Sequence, residues 1–213
     1  MNFKFPRVYP ILDSSFIPTL DRAESLRCLG ESLADAGVTL LEYRNKTGPD
    51  SEILADAAIL RDALPAGKTK LIIDDRVDLV DHVQFDGVHV DAGDLSPAQA
   101  RHLVGPDRIV GTFGGSEDLQ PGILEAPADY FAIGPVFETR TKHTEKRPIG
   151  IEGVHRLRRQ AGPDVVLSAA AGITLETAQS ILDAGASMVA VAEAIFRTDD
   201  PAAEFRRWIR HLH

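Results

Sequence analysis

The chain alternates between short apolar runs and longer stretches in which apolar residues recur every three or four positions. The runs occupy residues 8–12, 39–43, 70–73, 87–90, 108–110, 130–133, 165–171 and 187–192. Several are nearly unbroken in Val, Ile, Leu and Ala, a pattern that suits parallel strands covered on both faces rather than strands with one wet face. The stretches between them carry helix punctuation. In "LSPAQA", Ser96 is placed to cap, Pro97 suits the first helical turn and Gln99 completes a capping box. Asp200 before Pro201 starts the last helix in the same way, and Leu26, Leu29 and Leu33 share one face of the first. Three segments, "ADAGVTLLEY", "QFDGVHVDA" and "LDAGASMVAV", each set a glycine between a helix end and a strand start. Gly37, Gly87 and Gly185 are therefore expected as C-terminal helix caps.

Strands alternating with helices imply right-handed crossovers and a parallel sheet. Eight such units in 213 residues predict an α/β fold, a single-domain (β/α)8 TIM barrel spanning residues 1–213. The rival is an open doubly wound sheet. Its fingerprint G-x-G-x-x-G is absent after the first run, where "LDSSFIPT" stands instead, and no linker divides the chain.

Charge narrows the partners. Against 32 Asp+Glu stand 23 Lys+Arg, a formal net charge of −9, so no nucleic-acid surface is expected and an anionic ligand needs a local basic site. Cys28 is the only cysteine, which excludes an intramolecular disulfide framework and a Cys-x-x-Cys zinc cluster. The opening "MNFKFPRVYPILDSSF" lacks a signal-peptide core, and no apolar run approaches the roughly 20 residues that span a bilayer. A cytoplasmic protein with no membrane partner is expected.

In a barrel, function sits at the carboxyl ends of the strands, so what each strand runs into is informative. The second run ends in Glu42, Arg44 and Lys46, the third in Asp74, Asp75 and Arg76, and the fourth leads to Asp91 and Asp94. The sixth opens into "GPVFETRTKHTEKRPIG", the seventh into "AAAGIT" and the eighth into "AEAIF". Asp75 and Asp94 form a candidate hard-cation site, because magnesium needs only one or two carboxylates beside substrate oxygens and water. The plainer alternative makes both of them helix caps. Arg44, Lys46 and Lys142 are candidate anion contacts, with a solvated rim as the alternative. Segment 139–147 holds Arg140, Lys142, Lys146 and Arg147 against Glu145 alone, a reversal of sign that favours an anion-facing loop. Gly172 would let backbone N–H groups approach a phosphate, whereas Glu193 would repel one unless protonated, paired or turned away. His89, within "GVHV", is expected as a satisfied core histidine, and His143 lies in the basic loop.

The ordered set "YRNK", "DDRVDLV", "GVHVDAGDLS", "GPVFETRTKHT" and "AAGIT" resembles the thiamine-phosphate synthase and thiazole tautomerase superfamily of (β/α)8 barrels, from residue 8 to residue 205. The synthase branch joins a pyrimidine diphosphate to a thiazole phosphate, releasing pyrophosphate with magnesium. The resemblance implies Mg2+ held by Asp75 and Asp94, with Arg44, Lys46 and Lys142 on the leaving group. It places Thr139, Thr141 and Gly172 near the thiazole phosphate, and Glu42, Asp74, Ala192 and Glu193 complete the expected substrate-binding set. Small phosphorylated substrates are the expected partners, with a homo-oligomer left open.

The chain departs from the synthase pattern at several of these positions. Glu42 stands where Gln is usual, Asp74 where Asn is usual, Phe113 where a Ser commonly follows the fifth strand, and Glu193 where a Ser lies near the eighth. The polar residue commonly found after "GVHL" is replaced within "VDAGD". Two other readings compete. A thiazole tautomerase-like isomerase would need no metal but uses a His after the fifth strand, where this chain reads "TFGGSED". A degenerate barrel would bind a phosphorylated precursor without turnover.

Overall fold

Unbroken apolar runs become strands here because each is covered twice, by the barrel interior and by helices outside. The computed structural model describes residues 3–91, 93–139 and 146–212. The strands are β1 (Val8–Asp13), β2 (Leu40–Arg44), β3 (Lys70–Asp74), β4 (Gly87–Val90), β5 (Ile109–Gly115), β6 (Tyr130–Ile133), β7 (Leu167–Ala170) and β8 (Met188–Val191). Each pairs in parallel with the next, and β8 returns to β1 with Val189 opposite Val8, so the sheet closes. The expected (β/α)8 barrel is the observed fold.

Eight helices accompany the strands among the described residues: α1 (Arg22–Asp35), α2 (Asp50–Ala63), α3 (Val80–Val83), α4 (Pro97–Val104), α5 (Gly150–Ala161), α6 (Leu175–Asp183), α7 (Glu193–Phe196) and α8 (Pro201–His211). Ser96 caps α4 in a capping box with Gln99, and Asp200 caps α8 by accepting from Ala203 N at 2.9 Å. Leu26 and Leu33 are fully buried on α1, with Leu29 packed beside them.

Three expectations need correction. Between β5 and β6 only the 3-10 turn Ile123–Glu125 replaces a helix, because Pro121, Gly122 and Pro127 break the segment. Strand β5 runs well past the apolar run at 108–110; Gly111 hides this in the sequence, yet a Cβ there would collide with the Tyr130 ring that fills the barrel. Gly37 (φ 83°) and Gly185 (φ 106°) do end helices, but Gly87 does not. Gln84 (φ 54°) terminates α3, and Gly87 opens β4 where a Cβ would strike the Ile109 carbonyl.

The period of two along each strand separates two apolar layers. Leu41, Tyr43, Leu71, Ile73, Val88 and Val90 face the helices. Tyr9, Leu40, Ile72, Ile109, Tyr130 and Met188 fill the barrel. At the amino ends of the strands a repeated clamp ties neighbours together. Asp86, Asp129 and Ser187 each accept the N–H of a neighbouring strand residue, from Leu71 (3.0 Å), Val110 (2.8 Å) and Leu167 (3.1 Å). Arg61, Arg101 and Arg158 from the helices grip the same three side chains. That end of the barrel is built for stability and leaves the opposite rim for chemistry.

Candidate active site

Strand β2 sets up the site, because its alternation sends Glu42 and Arg44 to the interior and Tyr43 outward. The outward side is a buried polar network. Tyr43 Oη donates to Asp56 at 2.6 Å, and Arg22 holds the same carboxylate through Nη2 at 2.6 Å and Nε at 3.1 Å. Asn45 donates to Tyr43 Oη (3.1 Å) and Glu52 (2.8 Å), while its Oδ1 accepts the N–H of Gly48 at 2.8 Å. The loop carrying Lys46 is thereby pinned to α1 and α2.

Inside the barrel the strand ends enclose a cavity of about 520 Å³. Its floor is a chain of titratable groups. Tyr9 Oη donates to Glu42 Oε2 at 2.5 Å and lies 2.9 Å from Tyr130 Oη, which in turn lies 3.0 Å from His89 Nδ1. Glu42 is 3% exposed. Burial pushes its carboxyl up to about 7, with His89 opposing and Asp74 and Asp91 adding to the rise. The tyrosines rise well above their usual range, first from burial and then from Glu42. Burial lowers His89, but Asp91 and Glu42 outweigh it and the net shift is upward. His89 is satisfied, as expected, but it faces the cavity rather than a closed core. The walls are apolar, from Ile11, Phe113, Ala132 and Ile133. Such a space suits a flat, partly polar ring.

The rim above Glu42 is charged. Arg44 pairs with Asp13 and, through Nε, with Asp74 Oδ2 at 3.2 Å. Lys46 Nζ lies 3.0 Å from the same Asp74 oxygen and also contacts Asp75. Asp74 Oδ2 has no hydrogen bond of good geometry despite these ion pairs, and Asp75 Oδ1 is a buried oxygen with no hydrogen-bond partner among the described residues. Asp75 sits at φ 62°, a left-handed conformation that costs a non-glycine residue about 1 kcal/mol or more. Neither metal candidate caps a helix. The 3-10 turn after β3 has Arg76 at its cap position, α4 is capped by Ser96, and Asp94 Oδ2 instead accepts from Asp91 N at 2.8 Å. Arg76 turns away to Asp50 (2.6 Å) and Asp78 (2.7 Å). Lys146 lies 3.6 Å above the Phe113 ring on the cavity's far side, a cation–π contact.

An adjoining lobe of about 450 Å³ shares Ile11, Arg44, Thr139, Ala170, Ala171 and Ala190 with the first. Gly172, Ala192 and Glu193 line it, with Asp13 and Glu138. Gly172 has φ 67°, and a Cβ there would collide with the Glu138 carbonyl, so only glycine fits. Glu193 is paired with Arg197 at 3.4 Å. Thr141 and Lys142 lie outside the described residues. Glu42, Arg44, Lys46, Asp74, Asp94 and Thr139 line the main cavity together, with Asp75 joined through Lys46. Sequence reasoning missed Tyr9, Tyr130 and Ser168 as cavity residues and Asp13 as the partner of Arg44. The last had one available signal, a carboxylate ending the first apolar run.

A (β/α)8 barrel whose strand ends surround an apolar-walled, cation-rimmed cavity is the architecture of an enzyme for small anionic molecules. Likeness to known proteins narrows that class. A family model described as thiamine monophosphate synthase matches residues 8–195, and the chain belongs to that family of thiamine-biosynthesis transferases. It is 39% identical to a thiamine-phosphate synthase of Koribacter versatilis over all of this chain and 98% of that one. It is 38% identical to a thiamine-phosphate synthase of Agrobacterium fabrum, covering 78% of this chain and 77% of the relative. Among solved structures, a thiamine phosphate pyrophosphorylase from Pyrococcus furiosus superposes with a TM-score of 0.74 at 24% identity, covering 97% of this chain and 96% of that one, a likeness of fold.

Proposed function

We propose that this protein joins a hydroxymethylpyrimidine diphosphate to a thiazole phosphate, releasing pyrophosphate and forming thiamine phosphate. The observation that carries the reading is the placement of Arg44 and Lys46 directly above the ring-sized cavity floored by Glu42, Tyr9, Tyr130 and His89. A pyrimidine ring occupies the floor, and its diphosphate reaches the charged rim. Magnesium fits the donor set: two carboxylates, Asp75 and Asp94, the first with a buried oxygen that no donor among the described residues uses. No three His, Cys, Asp or Glu side chains form a ready cage among the described residues, so Asp75 and Asp94 would hold the ion only together with substrate oxygens and water.

The chemistry follows from these positions. As the bond between the pyrimidinylmethyl carbon and pyrophosphate breaks, negative charge accumulates on the leaving group. Arg44 and Lys46 stabilise that charge through charge-assisted hydrogen bonds. When bound, magnesium adds a further countercharge to the diphosphate. The apolar walls from Ile11, Phe113 and Ala132 exclude water from the pyrimidinylmethyl cation. The adjoining lobe with Thr139 and Gly172 holds the thiazole phosphate so that its ring nitrogen attacks from a fixed position, which removes the need for a protein nucleophile.

The test is pyrophosphate release with each precursor alone and with both, with and without magnesium. Release that needs both precursors and the metal supports the reading. Ligand binding without any release would favour a non-catalytic barrel instead.

A further inference from the structure

We infer that Asp74 is a coupling residue that makes diphosphate binding conditional on a divalent cation. The inference rests on the proposed function and adds a role for this carboxylate. Two cations, Arg44 and Lys46, are shared among three carboxylates, Asp13, Asp74 and Asp75. Asp74 is the most enclosed of these, its side chain 3% exposed, and its Oδ2 lies 3.2 Å from Arg44 Nε and 3.0 Å from Lys46 Nζ. Neither contact has hydrogen-bond geometry, so among the described residues Oδ2 is held by charge alone.

A buried carboxylate cannot lose its countercharges without a large desolvation cost. An incoming diphosphate that draws Arg44 and Lys46 onto its own oxygens would strip both from Asp74. It would also meet an anion within a few ångströms, in a setting where charge interactions are several times stronger than in water. The arrangement therefore resists a metal-free diphosphate. Asp75, whose Oδ1 is buried and has no hydrogen-bond partner among the described residues, would hold a divalent cation whose charge replaces the countercharge that Asp74 loses. Arg44 and Lys46 are then released to the ligand. An asparagine at this position would impose no such condition, because a neutral amide needs no replacement charge.

The experiment titrates inorganic pyrophosphate calorimetrically into the wild-type protein and Asp74→Asn, in EDTA and at saturating magnesium. In the wild type, magnesium is expected to raise pyrophosphate affinity at least about tenfold, within the usual range of coupling between sites. In Asp74→Asn, metal-free affinity rises about tenfold or more, and the magnesium dependence shrinks by the same factor. Because coupling is reciprocal, pyrophosphate must also strengthen manganese binding, read by electron paramagnetic resonance, more in the wild type than in the variant. Equal metal dependence in both proteins overturns the inference and leaves the proposed function intact. Pyrophosphate that binds neither protein under any condition removes the diphosphate site and the inference together.

Discussion

Replacing Glu42 with Gln should make the protein's stability less sensitive to pH. The wild-type carboxyl is pushed up to about 7 by burial, from an ordinary value of 4.5. The sign follows from proton counting. Between those values the folded state holds a proton that the unfolded state has released, so stability falls as pH rises through the window, and above about 7 the full cost of a buried charge is present. His89, also raised, loses stability in the same direction as pH climbs. Part of its shift comes from Glu42, so the substitution flattens both contributions. From about pH 5.5 to about pH 8.5, roughly one and a half units of the Glu42 window are crossed, or about 2 kcal/mol at 1.36 kcal/mol per unit. Glu42→Gln should therefore gain about 2 kcal/mol relative to wild type across that interval, a shift of roughly 4–8 °C in Tm for a chain of this size. Urea unfolding at both pH values can be followed by the fluorescence of Trp208, the only tryptophan and fully buried. Parallel pH profiles for the two proteins would refute the assignment of a protonated buried carboxyl.

Three further outcomes are expected. Asp75→Ala should fold normally but lose turnover by roughly 100-fold or more, because the magnesium proposed to neutralise the diphosphate then loses a carboxylate; wild-type rates would sink the metal assignment. Asp56→Ala leaves Arg22 and Tyr43 Oη without their buried acceptor and should destabilise by about 3 kcal/mol, read by urea unfolding, with a change under about 1 kcal/mol counting against the network. Gly172→Ala forces a Cβ into the Glu138 carbonyl at a left-handed φ, so KM for the thiazole phosphate should rise about tenfold or more while binding of the pyrimidine diphosphate is retained. A uniform loss of both would place Gly172 in general stability rather than in the second lobe.

Much of the fold was legible because parallel strands buried on both faces read as unbroken apolar runs, and 87–90 and 130–133 coincide with β4 and β6. The same property concealed the cavity. When both faces of a strand are apolar, the sequence does not reveal which residues point inward, so Tyr9 and Tyr130 look like ordinary core aromatics. Their hydroxyls matter only once the barrel closes and brings residues 121 positions apart to 2.9 Å. Gly111 hid most of β5 for a related reason, since its missing side chain is explained only by the Tyr130 ring opposite it. The charged rim was more readable, because Arg44, Lys46, Asp74 and Asp94 all lie at or just beyond strand ends, where a polar residue after an apolar run stands out. Asp13 was overlooked because pairing Arg44 requires the β1–β2 register, in which the two stand directly opposite each other.

The most direct measurement is a time course with hydroxymethylpyrimidine diphosphate, thiazole phosphate and magnesium, in which thiamine phosphate and pyrophosphate are quantified together. The account predicts equimolar formation of both, abolished when either precursor or the metal is omitted. Precursors that bind at the barrel mouth yet yield no thiamine phosphate would contradict it.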